Sequence, residues 1–176
     1  MESEDEEELV SSDDNEKLCD RSDTAYVTNH LALPASCRIL VRNGTCLYYT
    51  EWNRKTHLSM SKDEEFKLMY GMIFSIKSFV SRISPYDLKD GFLNFKTSKY
   101  KLHFYETPSG LKLVMNTDLT AGNIRDVLHQ IYSNIYVEYI VKNPMCELGV
   151  PIKSELFKTK LDDYIRGLSV FPMKLS

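Results

Sequence analysis

The stretch from Asp63 to Asp118 constrains the fold more than any other part of this chain. DEEFKLMYGMIFSIKSFVSRIS reads as one long helix, which runs through a turn-rich segment into three short strand patterns. Ser61 is placed to cap the helix, and Glu64, three positions on, completes a capping box. Pro85 disfavours helical geometry at Ser84 and predicts the stop there. With about 100° between successive residues, Phe66, Met69, Tyr70, Met72, Ile73, Ile76, Phe79, Val80 and Ile83 fill an arc of roughly 240°. The remaining stripe is Lys67, Gly71, Ser75, Ser78 and Arg82. A helix lying on one sheet needs an apolar face little wider than ~100°. The surplus predicts a second contact for this helix.

Around that block the order of elements is legible. CRILV and TCLYYTEW are strand-like runs separated by Arg42-Asn43-Gly44, and Asn-Gly is a strong short hairpin signal because both residues tolerate positive φ. As a tight turn, Asn43-Gly44-Thr45 takes precedence over its formal match to a glycosylation sequon. After SPYDLKDG come GFLNFKT, YKLHFYET and LKLVMNTD, the last two joined at Pro108-Ser109-Gly110, which predicts an antiparallel meander. A second helix is expected from about Asn123 to Asn143, capped by Asn123 or Thr120 and ended by Pro144. Its apolar stripe is Ile124, Val127, Leu128, Ile131, Tyr132, Ile135 and Tyr139. A third follows Pro151, with Leu156, Phe157, Leu161, Tyr164, Ile165 and Leu168 facing inward. The order β-β-α-β-β-β-α-α implies an α+β domain on an antiparallel sheet.

Charge divides the chain. Of its 25 acidic and 22 basic residues, 11 and 2 fall within residues 1–36, so the remainder is net basic by six. Residues 1–36 are too charged and too poor in apolar side chains to repay the entropy of ordering, and are expected to form a disordered acidic extension. Ser3 and Ser11 each precede an acidic residue by three positions, the context acidophilic kinases favour, although a merely solubilising tail is the better reading of this composition. The folded domain is expected over 37–170, with a short tail at 171–176. No apolar run reaches the ~18 residues needed to span a bilayer, and MESEDEEELV is unlike a signal peptide. Cys19, Cys37, Cys46 and Cys146 form no CxxC or Cys/His cluster and read as reduced thiols of a cytoplasmic protein.

Catalytic patterns are missing from the sequence. His30, His57, His103 and His129 are too dispersed for a local metal motif, and there is no GxSxG, Walker loop or GxGxxG. No metal, cofactor or catalytic residue is expected. The carboxylate pairs Glu64-Glu65 and Asp162-Asp163 read as solvated helix surface. Lys96, Lys99 and Lys101, with Tyr100 and Phe104, suggest a base-stacking sheet, yet no RNP-like pattern accompanies them and lysines also protect strand edges. Nucleic acid is not an expected partner. An acidic protein partner, or an anionic membrane met through a complex, suits the basic excess better.

RNGTCLYYTEWNRK (42–55), EEFKLMYGMIFSIKSFVSRISPYDLKDGF (64–92), TSKYKLHFYETPSGLKLVMNTD (97–118), IRDVLHQIYSNIYVEYIVKNPMC (124–146) and SELFKTKLDDYIRGL (154–168) cover nearly all of residues 39–168. Through them the chain resembles the subunit 1 family of TRAPP, the transport protein particle, among its small sedlin/longin-type core subunits. KLMYGM and YETPSG followed by VMNTD are the most specific runs. The resemblance implies a longin-like (profilin-like, SNARE-like) domain with a five-stranded antiparallel sheet, one helix on one face and two on the other. It implies a non-enzymatic role, without a cofactor, in a vesicle-tethering complex of ER-to-Golgi transport. Such a complex acts as exchange factor for a Rab1/Ypt-type GTPase. The implied neighbours are a synbindin-type longin subunit and an acyl-binding α/β-plait subunit, and the implied location is peripheral, at cis-Golgi and endoplasmic reticulum membranes. Two features depart from the family: about 36 unmatched acidic residues precede the match, and CRILV stands where the family has a more aromatic segment ending in Asp. On the surplus arc of the first helix, Met69, Met72, Ile76, Phe79 and Ile83 are the expected partner contacts. The alternative is a longin domain that binds a SNARE or coat component outside TRAPP.

Overall fold

In the computed structural model the described residues are Pro34, 36–52, 59–85 and 92–168. Most of the acidic extension and the tail at 171–176 lie outside them, as do Cys19, His30, His57 and both serines in kinase-type contexts. Five strands, β1 (Ser36–Leu40), β2 (Cys46–Glu51), β3 (Asn94–Lys96), β4 (Lys101–Glu106) and β5 (Lys112–Thr117), form one sheet in the order β2-β1-β5-β4-β3. Every neighbouring pair is antiparallel. β1 lies between β2 and the central strand β5, with Cys37 opposite Met115 and Thr50, and Ile39 opposite Leu113 and Tyr48.

The turns follow their residues. Gly44 has φ 87°, the Val41 N–H donates to the Thr45 carbonyl at 3.0 Å, and Asn43 Oδ1 accepts from the Thr45 N–H at 3.0 Å. Gly110 closes the β4–β5 turn at φ 85°. A one-residue bulge between Cys46 and Tyr48 shifts the β1–β2 register, and both Leu47 and Tyr48 then join the same core.

Helix α1 (Lys62–Ile83) begins at Ser61 with both halves of the capping box formed, and ends at the C-cap Ser84. It lies over Leu40, Leu102, Phe104 and Val114 on one sheet face. The other face, built on Cys37, Ile39, Leu113 and Met115, carries α2 (Arg125–Gln130), the segment continuing it, and α3 (Glu155–Arg166). One helix on one face and two on the other is thus the observed arrangement.

The second helix differs from expectation in its winding. After α2 it continues as a π-helical segment, Ile131–Val141, closed by the Lys142 N–H bonding to the Val137 carbonyl five residues back at 2.9 Å. Ile131, Ile135, Tyr136 and Ile140 are the buried residues there. A wider turn selects Ile140, where a 3.6-residue period selected Tyr139. The helix starts at Arg125 with Ile124 at the N-cap and no side-chain cap, so neither Asn123 nor Thr120 caps it as expected, although Asn123 Oδ1 accepts the Arg125 N–H at 3.2 Å. In α3, Phe157, Leu161 and Ile165 are buried and Tyr164 packs at their border. Leu156, expected inside, is 54 % exposed, because it lies one residue off the inward stripe.

Candidate partner surface

The seating of α1 decides which of its apolar residues remain free. Ile73 is buried against the sheet, and Met69, Tyr70, Met72 and Ile76 pack half-buried around it. The helix is fastened along its length by polar contacts. Near its start, Glu65 pairs with Arg38 of β1, both side chains almost wholly shielded from solvent. Arg38 also donates to Ser36 Oγ at 2.9 Å and stands 4.8 Å from the Tyr49 ring centroid. At mid-helix the Tyr70 hydroxyl donates to the Arg42 carbonyl. Further on, Lys77 binds Glu106, which also lies 3.5 Å from Lys112. Partial burial alone would raise the Glu106 pKa, but the bond from Lys77 and the charges of Lys112 and Lys77 outweigh it and hold it low.

Leu68, Phe74, Phe79 and Ile83 remain exposed, each by more than 60 %. Of the five residues singled out in sequence, Phe79 and Ile83 therefore lie on the free surface. Met69, Met72 and Ile76 stand at its border, half-buried where α1 meets the sheet. Leu68 and Phe74 are apolar surface that the sequence argument left out. The excess over a one-face arc is real, though part of it serves to seat the helix.

A second apolar surface lies between the π-helical segment and α3. Met145 is 90 % exposed, and Val141, Leu148, Val150 and Leu156 are exposed beside it in sequence. Ile140, Cys146, Val150, Pro151 and Ile152 line a cleft of about 590 Å³ here. The Ile152 N–H donates to the Leu47 carbonyl at 2.7 Å, fixing this loop to β2. Nothing about the chain order announced a patch formed by a loop.

Among the described residues, several groups that could do chemistry are engaged by the fold. Burial pushes the Cys37 thiol up to about 12 and the Cys46 thiol up to about 11, so both stay protonated and weakly nucleophilic. His103 Nε2 lies 2.9 Å from Thr117 Oγ1, and His129 meets the edge of Tyr105. Among the described residues no group of three or more His, Cys, Asp and Glu side chains could hold a metal. Neither carboxylate pair is simply solvated: Glu65 is buried on Arg38, and Asp162 accepts from Trp52 Nε1 at 2.8 Å, which locks α3 to the end of β2. Phe104 is buried and stacked on Phe92, so it offers no platform to a base. Lys101 is engaged by the Ala121 and Gly122 carbonyls. No helix among the described residues is long and apolar enough to cross a membrane.

His103 gives a pH signature. Burial, with a smaller contribution from Lys101, lowers its pKa from 6.5 to about 4. The unfolded chain therefore binds a proton below pH 6.5 that the folded chain refuses. The stability this group contributes is full above that pH and declines as pH falls toward about 4. Urea unfolding at several pH values in this window is expected to show a shallower decline for His103→Gln than for wild type, and parallel curves would refute the assignment.

The architecture is that of a longin-like α+β domain with exposed apolar surfaces on α1 and on the loop before α3. The chain belongs to the Sybindin-like family, which matches residues 36–168. It is 64 % identical over 130 residues to trafficking protein particle complex subunit 1 of Homo sapiens, covering 74 % of this chain and 90 % of the relative. The same-named protein of Dictyostelium discoideum is 42 % identical over 135 residues, covering 76 % and 94 %. Transport protein particle subunit bet5 of Schizosaccharomyces pombe is 35 % identical over 150 residues, covering 76 % and 96 %.

Proposed function

We propose that this chain is a non-catalytic subunit of a TRAPP-type vesicle-tethering complex, and that it contributes to the core exchanging nucleotide on a Rab1/Ypt-type GTPase in ER-to-Golgi transport. The 64 % identity to a trafficking protein particle subunit along 90 % of that relative's length carries the reading. Two apolar surfaces on different elements, one on α1 and one on the 141–156 region, support it, because each suits a separate neighbour. The neighbours would be a synbindin-type longin subunit and an acyl-binding α/β-plait subunit. The partner contacts on α1 would be Phe79 and Ile83, bordered by Met69, Met72 and Ile76. Exchange would follow from protein contacts that favour the nucleotide-free GTPase, a differential-binding effect that needs no cofactor. Membrane association, at cis-Golgi and endoplasmic reticulum, would be peripheral and through the assembled complex.

Co-expression with the sister subunits tests the interaction. The wild-type chain is expected to co-purify in fixed proportion. Phe79→Asp, at a position already exposed, should keep its fold and weaken capture at least about tenfold, since burying an unpaired carboxylate costs several kcal/mol. A folded wild-type chain that elutes alone in the presence of those subunits would defeat the proposal.

A further inference from the structure

The outward side of α1 is patterned along its length. Glu64, Gly71, Ser75 and Arg82 are exposed and follow one line down the helix, at steps of 7, 4 and 7 residues, each close to whole turns. Exposed Leu68 and Phe79 border the line on one side and exposed Phe74 on the other. At Gly71 an added Cβ would meet nothing within 4 Å, so the line is open. Arg82 makes no ion pair among the described residues. Glu64 uses Oε2 for its bonds with the Ser61 N–H and hydroxyl, leaving Oε1 unengaged by them.

This pattern is its own complement. Turn a second copy by 180° about an axis that lies just outside this face and runs at right angles to α1, level with residue 73 along its length. Glu64 of each copy then faces Arg82 of the other, at both ends of the contact. Gly71 faces Ser75, where small side chains let the helices approach closely. Leu68 lies against Phe79 on one border, and Phe74, next to the axis, meets its own copy on the other. The two charged pairs stand about 27 Å apart along the helix, and the antiparallel arrangement sets the helix dipoles in the favourable sense. An acid at one end of the line and an arginine at the other select a partner with the same sequence running the opposite way. We infer that the outward face of α1 is an isologous two-fold interface, occupied by a second copy of this chain when no sister subunit covers it. This rests on α1 being an interaction helix, and it is measured on the chain alone, so its failure and that of sister-subunit binding are separate results.

Sedimentation equilibrium of the full chain, with reciprocal charge variants, is the test. Wild type is expected to show a concentration-dependent dimer. Arg82→Glu and Glu64→Arg, each alone, place like charges opposite one another twice and should weaken the dimer at least about tenfold, or about 1.4 kcal/mol. Mixed one to one, they should recover dimer, because each mixed pair then has both of its charge contacts restored. Circular dichroism of each variant confirms its fold before mixing. A second readout is Phe74→Cys, which should be trapped as a covalent dimer under mild oxidation faster than a Lys158→Cys control on α3. A wild-type chain monomeric at about 100 μM, or a dimer indifferent to all of these substitutions, would overturn the inference.

Discussion

Glu65→Ala is expected to destabilise the fold by about 3–5 kcal/mol, the largest effect of any single polar substitution here. Arg38 lies in the inner strand β1, and its side chain is 2 % exposed against 9 % for that of Glu65. With Glu65 gone, the guanidinium keeps one hydrogen bond to Ser36 and its contact with Tyr49, and its charge stays buried without a counterion. Lys62, 4.0 Å from the other Glu65 oxygen, offers no compensation because it is itself cationic. Against a typical total stability of ~5–15 kcal/mol, such a loss moves the urea midpoint far toward zero. The double substitution Arg38→Met with Glu65→Leu should recover most of the loss, since an apolar pair avoids desolvating two charges. A change below about 1 kcal/mol for Glu65→Ala would mean that solvent reaches the pair after all.

Phe157→Ala should cost about 3–5 kcal/mol, whereas Leu156→Ala beside it should stay within about 0.5 kcal/mol. Phe157 is fully buried and takes the edge of Tyr48 at 5.0 Å between centroids and of Tyr136 at 6.5 Å. One ring thereby joins α3, the bulged strand β2 and the π-helical segment. Removing it leaves a cavity among groups that cannot all move inward, because β2 is held in the sheet and α3 is tied to Trp52 through Asp162. Equal effects at 156 and 157 in parallel denaturation curves would contradict the inward stripe of α3.

Much of this could be read in the chain because local rules and the global fold agree. Ser61 and Glu64 announce the start of α1, Pro85 its stop, and Asn43-Gly44 and Pro108-Ser109-Gly110 two of the hairpin turns. What was hidden depends on distance along the chain or on a change of winding. Arg38 looks like an ordinary strand charge until α1 brings Glu65, 27 residues later, down onto it. Tyr139 fits a regular helix, and only the wider π winding puts Ile140 in its place. On α1 the width of the apolar arc was legible, but its division between seating and free surface was not. That division depends on the tilt at which Ile73 meets the sheet, and it leaves Leu68 and Phe74 exposed where Met69 and Ile76 are half-covered. The loop surface around Met145 belongs to no periodic element, so no pattern could reveal it.

We propose that this chain acts through assembly, as a non-catalytic subunit. The most direct measurement is nucleotide release from the Rab1/Ypt-type GTPase, catalysed by a TRAPP core reconstituted with and without the chain. Omitting it is predicted to abolish most of the stimulated release, and adding the purified wild-type chain back should restore it. Release at the full rate in its absence would contradict a required role for this chain in the exchange core.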